Sequence, residues 1–115
     1  MKKFFVVFRI PIASMDEWVK DTSPETRKEQ TQKIMNEWAA WMKKRGGAVV
    51  DAGAPLGKTK TVTADGIADT RNDLNYYLFV EAPSHEEAAK LFTDNPHLQI
   101  PTSIIEVMEI VSGGM

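Results

Sequence analysis

Along the chain, short runs that are apolar at every position alternate with longer stretches that are apolar only at helical spacing. Phe4 to Ile10 opens with aromatic and β-branched residues and is closed by Pro11, which predicts a buried first strand. Residues 14–17 (Ser-Met-Asp-Glu) have the spacing of a capping box and predict a short helical turn carrying Trp18 and Val19. Ser23-Pro24-Glu25 is a stronger start. The serine can cap, the proline loses nothing at the first helical position, and the glutamate suits the positive helix end. No further proline or glycine intervenes before Arg45, and Ile34, Met35, Trp38, Trp41 and Met42 recur as one apolar stripe. Lys43-Lys44-Arg45 complements the negative helix end, and Gly46-Gly47 reads as the stop.

Ala48 to Ala52 predicts a second strand, with Gly53-Ala54-Pro55-Leu56-Gly57 as the turn after it. Lys58 to Ala64 alternates threonines with Lys60 and Val62 in the manner of a solvent-edge strand, and Asp65-Gly66 is a hairpin turn signal. Residues 67–73 are polar and read as loop. Tyr76 to Val80 is a further strand. Ser84-His85-Glu86-Glu87 is a second capping box, opening a short helix with Ala88, Leu91 and Phe92 inward. Ile104 to Val111 closes the chain as a strand, and residues 112–115 read as a loose tail.

The resulting βαββαβ order predicts a ferredoxin-like α+β fold, an antiparallel sheet with helices on one face. Such a sheet should alternate apolar and polar residues. Phe4-Phe5-Val6-Val7-Phe8 and Tyr76-Tyr77-Leu78-Phe79-Val80 do not alternate, so both faces need cover. The chain has no third long helix to supply it. A second copy of the same sheet is the economical cover, and a homodimer is expected.

At 115 residues the chain has room for one domain, residues 1–115, and 43% hydrophobic with 26% charged residues excludes a disordered chain. Fourteen basic against sixteen acidic residues leave a net charge of −2, with no electrostatic pull toward nucleic acid or an anionic membrane. The absence of cysteine removes disulfides, thiolate metal sites and cysteine nucleophiles from consideration. Lys2-Lys3 and the apolar run after them resemble the start of a signal peptide. Arg9 breaks that run too early and Pro11 follows, so a cytoplasmic protein is expected.

Ser23-Pro24-Glu25, Glu37-Trp38-Ala39-Ala40-Trp41, the turn from Val50 to Leu56, Thr61 to Gly66, the Tyr76-Tyr77 strand and the ending from Asn95-Pro96 to Val107 carry a resemblance. Together they are similar to the YCII-related (DGPF-domain) proteins of the dimeric α+β barrel superfamily. That resemblance implies a homodimer whose cavity, between helices and sheet, holds a small organic molecule, without a cofactor. Two family features are missing. The stretch after Gly66 reads Ile-Ala-Asp-Thr-Arg-Asn-Asp in place of Asp-Gly-Pro-Phe, with at most Asp69 standing for the motif's aspartate. The long helix also lacks the histidine that some members pair with an aspartate.

Candidate chemistry is sparse. His97 follows Asp94-Asn95-Pro96 on the loop before the last strand and is the candidate proton carrier, with Asp51 or Asp69 as its orienting carboxylate. His85 reads as an exposed first-turn residue. Arg9, the one charge within the first strand, either pairs with Asp51 or Glu106 or greets an anionic ligand. Trp38 and Tyr77 are candidates for a ligand's wall, although an aromatic stripe such as that of Trp38 reads first as core. No His-x-His or His-Glu-x-x-His spacing supports a metal site, and Gly53 to Gly57 lacks the helix a phosphate loop needs. Two readings follow: a homodimer binding a small molecule, with acid–base catalysis if it is an enzyme, and a non-catalytic interaction or regulatory module.

Overall fold

The computed structural model describes residues 1–111; the expected tail at 112–115 lies outside them. The elements in chain order are β1 (Lys2–Arg9), α1 (Ile12–Asp21), α2 (Pro24–Arg45), β2 (Val49–Pro55), β3 (Thr59–Thr63), β4 (Gly66–Thr70), β5 (Leu74–Ala82), α3 (His85–Lys90) and β6 (Ile104–Glu109). Single 3₁₀ turns occupy Gly46–Ala48 and Pro96–Gln99. A four-stranded sheet has the order β2-β5-β1-β6 with antiparallel neighbours, and β3 and β4 form a separate hairpin. The architecture is mixed α+β, as the order of elements predicts.

Local signals explain most of these boundaries. Ser23 Oγ accepts from the Thr26 amide at 3.1 Å, and Pro24 follows as the first helical residue. Ser84 does the same for α3, accepting from the Glu87 amide at 3.2 Å. The first helix departs from expectation. It begins at Ile12 behind Pro11, without a side-chain cap, so the Ser14 box lies inside it. Of the segment 67–73 read as loop, residues 67–70 belong to strand β4 and only 71–73 are loop. Both faces of this hairpin meet water, so its residues carry no apolar alternation for a reader to find.

Strand parity sorts the sheet into two faces. Phe4, Val6, Phe8, Leu78, Val80 and Ala82 point to the side occupied by Trp38, Trp41 and Met42 of α2 and by Ala88 and Phe92 on and after α3. Phe8 is the hub of this layer, with ring centroids 5.1 Å from Trp38, 5.9 Å from Phe92 and 5.8 Å from Tyr76. The expected stripe on α2 is narrower than the reading implies. Met35 is 58% exposed, because it lies about 120° around the helix from Trp41, whereas Ile34, about 20° from Trp41, is half-buried.

Strand β2 runs through the expected turn as far as Pro55, and its pairing with β5 shifts twice, between Val49 and Asp51 and between Asp51 and Ala54. Gly53 makes this possible. Its φ is +66°, and a Cβ there would lie 1.6 Å from the Tyr77 carbonyl oxygen. Gly53→Ala is therefore expected to lower stability by at least about 2 kcal/mol, read as a lower urea midpoint. Gly57→Ala, with open space around the new methyl, should stay within about 0.5 kcal/mol of the parent.

Candidate functional site

The face of the sheet turned away from α2 and α3 is also apolar. Phe5 stands opposite Phe79 and Met108, and Val7 opposite Tyr77 and Glu106. The rings of Phe5, Tyr77 and Phe79 form one cluster, with centroids 5.1 to 6.1 Å apart. All three rings are half-buried, whereas Ile104 and Met108 are exposed beside them.

At one end of this face Arg9 makes a fork to Asp73, Nε donating to Oδ1 at 3.0 Å and Nη2 to Oδ2 at 2.7 Å. Its Nη1 donates to Glu106 Oε1 at 2.7 Å. Of the two pairings open to Arg9 on sequence, the one with Glu106 forms and the one with Asp51 does not. The Asp73 carboxylate is the larger partner. Its hydrogen bonds, then those of Glu106, raise the Arg9 guanidinium further above its ordinary range. The same bonds hold the Asp73 carboxyl below the usual carboxylate range. Asp73 is also fixed by its backbone, its carbonyl accepting from the Ile10 amide at 2.9 Å.

Arg9 and Tyr77 thus share the open face, and Asp51 is paired opposite Phe79 at its β2 edge; Trp38, Asp69 and His97 lie elsewhere. Trp38 belongs to the opposite, helix-covered layer, 5.4 Å from both Trp41 and Tyr76. Asp51 is exposed on β2, where its Oδ1 accepts from the Gly53 amide at 2.8 Å. Asp69 is exposed on the hairpin and paired with Lys60 at 2.6 Å. Neither carboxylate shares a hydrogen bond with His97.

His97 is buried, 5% exposed, with its ring edge-on to Phe8 at 5.3 Å. Its amide donates to Asn95 Oδ1 at 2.9 Å, and Ser103 Oγ donates to its carbonyl at 2.7 Å. Its Nε2 lies 3.0 Å from the Arg9 carbonyl oxygen, which can only accept, so the neutral ring carries its proton on Nε2. Burial pushes the imidazole below its ordinary pKa, opposed by the carbonyls of Arg9 and Ile104. The aspartate three residues before it turns the other way. Asp94 accepts from Trp41 Nε1 at 3.1 Å, Lys44 Nζ at 3.0 Å and Arg45 Nη2 at 3.1 Å. His85, on α3, reaches the Val107 carbonyl at 2.8 Å with Nε2. Among the described residues no cluster of three histidine, aspartate or glutamate side chains is arranged to hold a metal ion.

The layer between helices and sheet is filled by the Phe8, Trp38, Trp41 and Phe92 rings. Shallow grooves open beside it. One, of about 290 Å³, lies between α3 and β6 and is lined by Ala89, Phe92, Leu98, Ile105 and Val107. Another, of about 250 Å³, lies between α2 and the 3₁₀ turn beside Asp94.

No family model and no curated protein matches the chain. Among solved structures, 5-chloro-2-hydroxyhydroquinone dehydrochlorinase (TftG) from Burkholderia phenoliruptrix AC1100, in complex with 2,5-dihydroxybenzoquinone, matches at 16% identity and a TM-score of 0.46, over 90% of each chain. At that score the two chain paths agree only loosely.

The buried histidine makes stability depend on pH. A folded-state pKa below the unfolded value of about 6.5 leaves the contribution intact above that value and removes it as pH falls. The urea midpoint should drop between about pH 7.5 and about pH 5.5, and His97→Gln should flatten that drop. An unchanged slope in the variant would assign it to other groups.

Proposed function

We propose that the chain is a ferredoxin-like subunit of a homodimer, of the dimeric α+β barrel type, that binds a small organic molecule. In this reading the open sheet faces of two copies meet. The molecule lies between the Phe5, Tyr77 and Phe79 rings and the Arg9–Asp73–Glu106 cluster. The observation that carries it is the apolar second face, which no helix among the described residues covers. Pockets for small molecules combine apolar walls with a few convergent polar groups, and this face has both.

The ligand this site suits is largely apolar and uncharged. One guanidinium against two carboxylates leaves the cluster at −1, so a further anion is repelled rather than greeted. Arg9 uses three of its five N–H groups on Asp73 and Glu106, and the other two remain for a ligand carbonyl or hydroxyl.

Binding without catalysis is the form the geometry favours. Acid–base catalysis by His97 requires its Nε2 to leave the Arg9 carbonyl and its ring to leave Phe8. The dimer alone, as an interaction module, is the second reading, and the same experiment separates the two.

Native mass spectrometry of the purified chain is expected to give twice 12.9 kDa, with added mass from a retained small molecule. Phe79→Glu, which places a charge in the open face, should give a monomer without that mass. A bare dimer would favour the interaction module, and a wild-type monomer would overturn the proposal.

A further inference from the structure

The β3–β4 hairpin is the part of the molecule that its own chain does least to support. Apart from Thr59, every residue of its two strands is exposed. Its side-chain bonds are mostly internal, Lys60 to Asp69 and Thr61 to Thr70, each at 2.6 Å, with Asn72 Nδ2 donating to Thr59 Oγ1 at its base. At the far end Val62 and Ile67 stand opposite each other, 73% and 70% exposed. A two-stranded ribbon alone in water is marginal at best, and a cross-strand apolar pair at its tip gains nothing until something covers it.

The position of the hairpin says what that is. Thr70 ends β4 three residues before Asp73, the carboxylate that grips Arg9 at the end of the open sheet face. The arm therefore springs from the rim of that face, and five residues of strand give it a reach of about 17 Å. Area supplies the second argument. Four strands about 4.8 Å apart, overlapping over about six residues, present roughly 400 Å² per copy, against about 800 Å² per partner in a stable interface. Face-to-face contact alone is small for a stable pair, and the arms at its rim carry the exposed Val62–Ile67 pair.

We infer that the hairpin is a dimer arm. In a homodimer joined through the open faces, Val62 and Ile67 of each copy pack on the partner and close the rim of the partner's ligand chamber. This rests on the dimer proposed above and goes beyond it, since each copy then contributes residues to the other's site.

The chain has no cysteine, so Val62→Cys places a single thiol at the arm's tip. In the full-length dimer its alkylation should be slowed by about tenfold or more relative to the denatured chain, and dilution to monomer should restore the rate. Val62→Asp combined with Ile67→Asp should weaken the dimer by roughly 100-fold with the circular dichroism unchanged, because both positions are exposed in the single chain. A dimer whose introduced thiol reacts at the denatured rate, or a double variant that dimerises like the wild type, would overturn the arm and leave the dimer standing. A thiol protected only after addition of cell lysate would assign the arm to another partner and overturn it too. A wild-type chain that stays monomeric at every concentration would remove both proposals together.

Discussion

Strand β1 lies inside the sheet with ring and branched side chains on both faces, so covering one face leaves the other to be solved separately. On one side the chain does this itself, with α2 and α3 closing over Phe4, Val6 and Phe8 until all three are fully buried. On the other side it supplies only ring-to-ring contacts among Phe5, Tyr77 and Phe79, each such pair contributing about 0.5–1.5 kcal/mol. Completing their burial would add on the order of 1 kcal/mol per ring. Six rings from two copies then give roughly 6 kcal/mol, within the range of about 4–15 kcal/mol that association costs in lost freedom. A flat meeting of the two faces would be weak on those figures, so a stable pair needs further contact from beyond the sheet.

The elements legible in the sequence are those whose signals are local. Helix α2 is announced by Ser23, Pro24 and Glu25 and ends at its basic cluster, all within the segment itself. Strands β1 and β5 are legible because continuous ring and branched residues have no other use in a chain this short. What escaped was set by distant partners. Strand β4 is a strand because β3 pairs with it, and its polar residues give no sign of that. The length of β2 depends on Gly53 fitting against the Tyr77 carbonyl, a contact 24 residues away. Met35 belongs to the stripe as read from the sequence yet meets water, because a spacing of six residues leaves it about 120° around the helix from Trp41.

The candidate site divides in the same way. Arg9 was visible as the lone charge in an apolar strand, and a guanidinium there had to be paired. Glu106 could be named because it lies on a predicted strand. Asp73, 64 residues away in a segment that reads as loop, could not, although it makes the stronger fork. The spacing of Asp94 and His97 suggests a pair, but three residues through a proline and a 3₁₀ turn do not fix direction. Asp94 turns to Trp41, Lys44 and Arg45, and His97 to the main chain of β1.

Arg9 is consequently held from both sides of the sheet. Its carbonyl receives the His97 N–H on the helix side, and its guanidinium is clamped by two carboxylates on the open side. A side chain clamped in this way loses little further freedom when a ligand arrives, which favours recognition by shape and hydrogen bonding over recognition by charge. The two free N–H groups lie beside carboxylate oxygens that still have lone pairs, so donors and acceptors are offered together at one end of a ring-lined face. A hydroxyl, which both donates and accepts, meets that arrangement without leaving either kind of group unpaired, whereas a carboxylate would oppose the net charge already there. In the proposed dimer, the chemistry at the Arg9 end therefore suits a neutral hydroxyl-bearing molecule with an apolar body, and His97 supports that arrangement through the backbone it fixes.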